Sequence, residues 1–238
     1  VMNTDNCAIS GETIDYGPCA FMDAFHPKRV FSSIDTGGRY AWNNQPDIAL
    51  WNLTRFAETF LPLLDDDEQK AISLAETALK KYPDQFSAQY QKRFRSKLAL
   101  PSDAPNEIIQ ECLDLLAEHE VDFTLFFRHL TRIASGDTSE ALEELFKDKS
   151  DLQDWLGKWR SQADSVNRLL EMRQANPILI PRNHRIEQAI QAAYRNDYGP
   201  FNRLVEALAN PYSENPDYAD LELAPKPRER VNETFCGT

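Results

Sequence analysis

The feature that constrains the fold of this sequence most is helical spacing of apolar residues, repeated from Asp65 almost to the end of the chain. Proline and glycine residues mark the breaks between successive segments. The pattern predicts helices over 67–81, 84–99, 106–119, 122–134, 138–147, 151–174, 184–195 and 198–209. The sequence therefore predicts a mainly α protein, in which Trp155 and Trp159, four residues apart, belong to the core.

An earlier helix is predicted to begin at Pro46 and Asp47, because proline suits the first helical turn and an acidic residue suits its positive end. Its apolar stripe consists of Ile48, Trp51, Phe56, Phe60 and Leu63. We expect Trp51 and the two phenylalanines to be core residues. Arg55 on the same helix either pairs with an acidic loop residue or has a solvated or stacking role.

Short runs at 7–10 and 13–15 are rich in small or β-branched residues and flank Gly11 and Glu12. A two-residue linker with glycine first suits a type II′ turn, so the sequence predicts a β-hairpin at the N-terminus. Because a hairpin brings its two ends together, we expect Asp5 and Asn6 to lie near Asp15.

Two carboxylates and one amide oxygen would then converge at this end of the hairpin. Oxygen ligands without His or Cys suit Mg²⁺, which also keeps waters and substrate phosphates around it. Protein kinases place a base Asp, a metal-binding Asn and a second metal-binding Asp around such a hairpin. The alternative is structural: Asp5 caps a turn, Asn6 adopts a left-handed conformation and Asp15 ends a strand. These residues alone leave both interpretations open.

A cationic group, Arg182, His184 and Arg185, lies at the start of the helix predicted over 184–195. Positive charge at a helix N-terminus opposes the macrodipole. The group therefore binds an external anion or pairs with acidic neighbours. With 38 acidic residues in the chain, we favour the acidic neighbours.

The chain carries a formal net charge of −12, which argues against nucleic-acid partners and anionic membranes. No apolar run approaches the ~20 residues that span a bilayer. The four cysteines, at positions 7, 19, 112 and 236, lack the spacing of a zinc site or a disulfide framework. This usage favours a reducing, cytoplasmic location.

Several segments together resemble the selenoprotein O family, also called SelO or YdiU. The first two are Asn-Thr-Asp-Asn at 3–6 and Thr-Ile-Asp-Tyr-Gly-Pro at 13–18. The others follow in order along the chain, at 38–42, 44–46, 50–53, 55, 176–177, 180–187, 210–212 and 234–238. The resemblance therefore covers essentially the whole chain.

The resemblance implies a protein-kinase-like fold that transfers AMP from ATP to Ser, Thr or Tyr hydroxyls of proteins. It implies that Asp5 is the proton acceptor, that Asn6 and Asp15 bind Mg²⁺ or Mn²⁺, and that Asp15 also lies beside the phosphates of ATP. The alternative is that the chain is a non-catalytic, all-α interaction module with a degenerate site. The same site also suits transfer of UMP or of a phosphoryl group.

Family members are roughly twice as long, so this chain resembles their C-terminal half. The expected missing part contains the glycine-rich loop and the phosphate-binding lysine, and without it the chain is expected to be inactive. We expect a catalytic-loop, hairpin and activation-segment region at 1–64, a helical region at 65–209 and an extended tail at 210–238. The second thiol or selenol that the family places just beyond Cys236 is absent from this sequence.

Overall fold

The computed structural model describes residues 1–12 and 21–235. The predicted mainly α class is confirmed. The α-helices are α1 (Gln45–Leu64), α2 (Glu68–Leu79), α3 (Tyr82–Lys97), α4 (Glu107–Glu118), α5 (Phe123–Ala134), α6 (Glu140–Glu143), α7 (Ser150–Gln162), α8 (Ser165–Ala175), α9 (Asn183–Ala193) and α10 (Gly199–Leu208). Short 3-10 helices lie at Thr4–Asn6, Trp42–Asn44, Pro216–Glu222 and Pro227–Glu229. In the described part of the chain, none of the helices has the length and apolarity needed to cross a bilayer.

The predicted helix over 151–174 is in fact two helices, α7 and α8. Ala163 ends α7 in an extended conformation, and Asp164 then caps α8 by accepting a hydrogen bond from the Asn167 amide at 3.3 Å. Aspartate is a favoured N-cap residue, and this local hydrogen bond sets the boundary between α7 and α8. The segment after α10, predicted to be extended, contains two of the 3-10 helices and buries Leu221.

The predicted N-terminal β-hairpin is not seen, and the prediction that its first arm is a strand is wrong. Residues 7–10 form no strand; instead the Gly11 amide donates to the Ala8 carbonyl at 3.0 Å, which makes a turn inside that arm. Gly11 has φ +72°, a conformation that glycine adopts without penalty. A turn with its own hydrogen bond outcompetes two very short strands, which are marginal alone. The second arm, 13–15, lies outside the described residues.

The chain forms two compact units. Of the described residues, unit 1 holds 1–12, 27–90 and 233–235, and unit 2 holds 21–26 and 91–232. In unit 1, α1 packs against α2, whose N-terminus is capped by Asp67 as its acidic start predicts. The end of the chain returns to this unit, because the Ser33 amide donates to the Thr234 carbonyl at 2.6 Å.

Unit 2 holds the larger core. Its fully buried side chains include Leu116, Phe126, Leu130, Leu142, Leu152 and Leu156. Trp155 and Trp159 are buried as predicted, and their indole groups donate to the carbonyls of Ile108 and Leu98, at 3.3 and 2.8 Å. These bonds satisfy the polar ends of two large rings that would otherwise be costly to bury.

The expectation that Trp51, Phe56 and Phe60 are core residues is wrong, whereas Ile48 on the same stripe is 7% exposed. Trp51, Phe56 and Phe60 are about two-fifths exposed, at 41%, 40% and 38%, and Leu63 is 79% exposed. The spacing of apolar residues correctly predicts an amphipathic helix. It does not say whether this chain supplies the surface that covers the apolar side.

Candidate functional site

The two described residues of the predicted site, Asp5 and Asn6, lie in one turn of 3-10 helix, Thr4–Asn6. The Asn6 amide donates to the Asn3 carbonyl at 3.0 Å, which closes the turn. Among the described residues, positive φ outside glycine occurs only at Ala99, Glu120 and Asn196. The alternative expectation of a left-handed Asn6 is therefore wrong.

Two side chains from later in unit 1 hold this turn. The Tyr40 hydroxyl donates to Oδ1 of Asn3 at 3.0 Å. Nδ2 of Asn52, on α1, donates to the Met2 carbonyl and to Sγ of Cys7, both at 3.0 Å. Because Asn52 is buried on a helix, it fixes both ends of the segment that contains Asp5. The turn is thus attached to a regular element.

Tyr40 is itself positioned by a loop that the side chain of Asp35 organises. The Asp35 carboxylate accepts hydrogen bonds from the amides of Arg39 and Tyr40, at 2.7 and 2.8 Å. Gly38, with φ +65°, allows the chain to turn between these residues. Asp35 and Tyr40 therefore extend the support of the turn back into the connection that precedes α1.

The side chains of Asp5 and Asn6 have different surroundings. Asp5 is exposed, and within the described residues its carboxylate makes no hydrogen bond or ion pair. Asn6 is half-buried, and its Nδ2 donates to the Val1 carbonyl at 3.3 Å. Adjacent residues of a 3-10 helix point about 120° apart, because the helix has three residues per turn. The turn therefore directs the carboxylate and the amide to different places. Asp15 lies outside the described residues.

The oxygen donors of this turn fit a hard cation. Mg²⁺ is held by one or two carboxylates, keeps several waters and takes further oxygens from substrate phosphates. Asp5 offers an exposed carboxylate of this class, and Asn6 offers an amide. In the described ranges, no group of three His, Cys, Asp or Glu side chains is placed to hold a metal ion without help from a substrate.

Arg55 on α1 has the stacking role left open for it, and its acidic partner lies on the same helix instead of in a loop. Its Nη2 pairs with Glu58 at 2.7 Å, and its guanidinium lies 5.5 Å from the centre of the Trp51 ring. Arg39 lies over the same ring at 4.9 Å. Cation–π contacts of this kind stabilise an exposed tryptophan and connect the 35–40 loop to α1.

In the cationic group at the start of α9, Arg182 pairs with acidic neighbours, as favoured from the sequence. The Arg182 guanidinium is 1% exposed and donates to Asp23 at 2.5 Å and to Asp122 at 2.7 Å. Burial alone would lower the pKa of Arg182, but bonding to Asp122 and the charge of Asp23 outweigh it and raise the pKa. Arg185 donates to the Asp220 carbonyl. We therefore assign no anion site to this group.

Sequence reasoning missed Asn52 and Tyr40 as supports of the turn. A signal for Asn52 was present, because it is a polar residue between apolar neighbours of an amphipathic helix, Trp51 and Leu53. Such a residue is buried only where its amide finds partners. Nothing in the pattern indicated that those partners lie some 45 and 50 residues earlier, at Cys7 and Met2.

Comparison with known proteins gives one consistent result. The family model described as protein adenylyltransferase SelO matches residues 1–209. Relatives include proteins named protein nucleotidyltransferase YdiU from Rhodopseudomonas palustris strain BisB18, at 47% identity, and strain ATCC BAA-98 / CGA009, at 50% identity. A relative of the same name from Bradyrhizobium sp. strain ORS 278 is 49% identical. Each match covers 100% of this chain and 50% of the relative, so the chain spans about half their length.

Proposed function

The chain belongs to the SelO family of protein adenylyltransferases, and from this premise we propose that it is part of an enzyme that transfers AMP from ATP to protein hydroxyls. The acceptors are Ser, Thr or Tyr side chains, and the fold is related to that of protein kinases. The observation that carries the proposal is the family match across residues 1–209, which includes the Asp5–Asn6 turn.

Asp5 is the proton acceptor in this proposal. The acceptor hydroxyl attacks the α-phosphorus of ATP, a new oxygen–phosphorus bond forms, and the bond between the α-phosphorus and the bridging oxygen to the β-phosphate breaks. Pyrophosphate leaves, and the hydroxyl proton passes to the Asp5 carboxylate. The Asp5 carboxylate is exposed and has no cationic partner among the residues that the structure describes, which suits this role, because it must reach a hydroxyl on another protein.

Asn6 and Asp15 hold the metal ion in this proposal. Bound Mg²⁺, or Mn²⁺ in its place, supplies charge neutralisation to the triphosphate. The divergence of Asp5 and Asn6 supports a division of roles, because a base and a metal ligand must face different atoms. Asn52 and Tyr40 act as positioning residues, since their hydrogen bonds fix the backbone from Met2 to Cys7.

The identity of the transferred group is the finer part of the proposal. The family description names adenylyl transfer, whereas the relatives are named nucleotidyltransferases without a stated nucleotide. The same donors suit transfer of UMP from UTP or of the γ-phosphoryl group of ATP, because both reactions need positioning and charge neutralisation. The part of ATP that faces Asp5 decides between AMP and phosphoryl transfer.

The test uses a full-length protein that contains this sequence, with Asp5→Asn, Asn6→Ala and Asp15→Ala prepared separately. ATP labelled at the α-phosphate, ATP labelled at the γ-phosphate and labelled UTP distinguish the three transfers. We expect incorporation from α-labelled ATP and its loss in Asp15→Ala. Asp5→Asn should retain ATP binding and slow the transfer by about 10² to 10⁴, the usual effect of removing a general base.

Asp66→Asn is the matched control, because Asp66 is an exposed carboxylate of the same unit outside the turn. It should transfer AMP at the wild-type rate. Each part of the proposal can be contradicted by a separate outcome. Incorporation from γ-labelled ATP alone would identify phosphoryl transfer, and label from UTP alone would identify UMP transfer. Wild-type AMP transfer by Asp15→Ala would remove this residue from the site, and nucleotide binding without any transfer would indicate a non-catalytic module.

A further inference from the structure

Little of helix α1 is buried, and the same holds for α2 and α3, which bury one residue each. Of its 20 residues, only Ile48 and Asn52 are buried. By contrast, α4 in unit 2 has 12 residues and buries six of them. Since both helices carry an apolar side, the difference lies in what covers them. The core of unit 2 covers α4, whereas the described residues of unit 1 leave most of α1 exposed.

The exposed apolar side chains form a groove, which we call the α1–α2 groove. It has a volume of about 380 Å³ and runs along α1 and α2 to the start of α3. Its main lining side chains are Leu53, Phe56, Phe60, Leu64, Leu74 and Tyr82. The four from α1 are spaced by three or four residues and so share one side of the helix. Among the residues that the structure describes, no charged side chain lines this groove.

The groove has the composition of an interface. Soluble proteins rarely leave contiguous large apolar side chains in water, and such patches mark contact surfaces. Leu74 is 50% exposed and Leu53 40% exposed, and Phe56 and Phe60 pack edge to face at 4.6 Å without becoming buried. These rings already have a fixed arrangement against each other, so a partner would find a preformed surface.

Two observations identify the partner. The chain spans only about half the length of its curated relatives, so half of the family protein is outside it. A second copy of this chain is disfavoured, because each copy carries a formal charge of −12 and like charges repel. We propose that the α1–α2 groove is the docking surface for the half of the family protein that this chain does not contain. The docking segment presents uncharged, apolar side chains to the groove.

The test is hydroxyl-radical footprinting of the full-length relative from Rhodopseudomonas palustris strain ATCC BAA-98 / CGA009, which is 50% identical to this chain. Peptides aligned with α1 and α2 are compared with the same peptides in the denatured protein. We expect strong protection of the side chains aligned with Leu53, Phe60 and Leu74, and several-fold faster modification of the same positions in this chain alone.

The internal control is the segment aligned with α8, where Val166 is 87% exposed and Leu170 is 68% exposed. This segment should react equally in the full-length protein and in the chain. Equal reactivity of the α1–α2 peptides in both proteins would overturn the proposal. Light scattering reports the oligomeric state, and dilution separates a dimer into single copies. Protection that appears only in a dimer and disappears on dilution would show that a second copy occupies the groove.

Discussion

Lys97 illustrates how one residue can set a pH dependence. Its ammonium group donates to the Ala175 carbonyl at 3.1 Å and lies 4.5 Å from the centre of the Phe127 ring. Burial lowers the pKa of Lys97 to about 8, an effect that the neighbouring Cys112 partly offsets. The folded state therefore releases this proton at lower pH than the unfolded state, whose lysine keeps the ordinary value of 10.5.

We expect this difference to appear as a rise in stability with pH. Between about pH 8 and 10.5 the unfolded state binds more protons at Lys97, so the contribution of Lys97 to the free energy of unfolding rises by up to about 1.4 kcal/mol per pH unit. Urea unfolding from pH 7 to 10.5 of the wild type and of Lys97→Met measures it. The free energy of unfolding of the wild type should rise relative to that of the variant across this window. A difference that stays constant with pH would show that the pKa of Lys97 is not shifted.

Arg182 joins Asp23 and Asp122 inside unit 2, so its removal takes away the positive charge that pairs with the buried Asp122 carboxylate. Breaking a buried ion pair costs about 3–5 kcal/mol. We therefore expect Arg182→Gln to lower the free energy of unfolding by that amount in urea titrations. Arg203→Gln is the control, because Arg203 pairs with Asp220 at the surface, and such pairs contribute at most about 1 kcal/mol. Equal losses in the two variants would contradict the assigned role of burial.

Sequence reasoning at the residue scale succeeded where chemistry limits the choices. Two tryptophans one turn apart were expected to be buried and are, and the pairing with carboxylates that was expected of a cationic group is confirmed for Arg182. It failed for Asn52, whose partners Met2 and Cys7 are distant in the sequence. A hydrogen bond across such a separation depends on the tertiary fold, and helical spacing carries no information about it.

At the scale of elements, most helices were predictable because their apolar sides repeat and prolines separate them. The split of α7 from α8 was not, since it rests on one capping bond at Asp164. The apolar side of α1 was predictable too, whereas its burial was not. A periodic pattern states which side of a helix avoids water, and the covering surface is a separate question.

The exposure of Leu74 gives an element-scale prediction. In this chain Leu74→Glu should change the free energy of unfolding by no more than about 0.5 kcal/mol, because surface substitutions rarely do more. At the aligned position of a full-length relative, the same change should be strongly destabilising, because burial of an unpaired carboxylate is costly. Thermal unfolding of the wild type and the variant, in this chain and in the full-length relative, measures the difference. A large loss in the isolated chain would mean that α2 is already buried there.

For the whole molecule, we expect this chain alone to transfer little or no AMP. It spans about half the length of its relatives, and transfer requires that the nucleotide and the acceptor be held in line. Label incorporation from α-labelled ATP by the purified chain and by a full-length relative makes the comparison. Incorporation by the chain that Asp15→Ala abolishes would show that these residues suffice for catalysis.

The contact between residue 33 and Thr234 has a consequence for the order of folding. Unit 1 contains two residues that are 201 positions apart, with the 91–232 part of unit 2 encoded between them. The entropy of closing a loop grows only logarithmically, by about 0.6 kcal/mol per doubling, so the insertion is tolerated at equilibrium. The insertion matters more for the timing of folding, because synthesis proceeds from the N-terminus. On the ribosome, α1 and α2 emerge long before Thr234 does, and the emergence of Thr234 sets the earliest moment at which unit 1 can be completed.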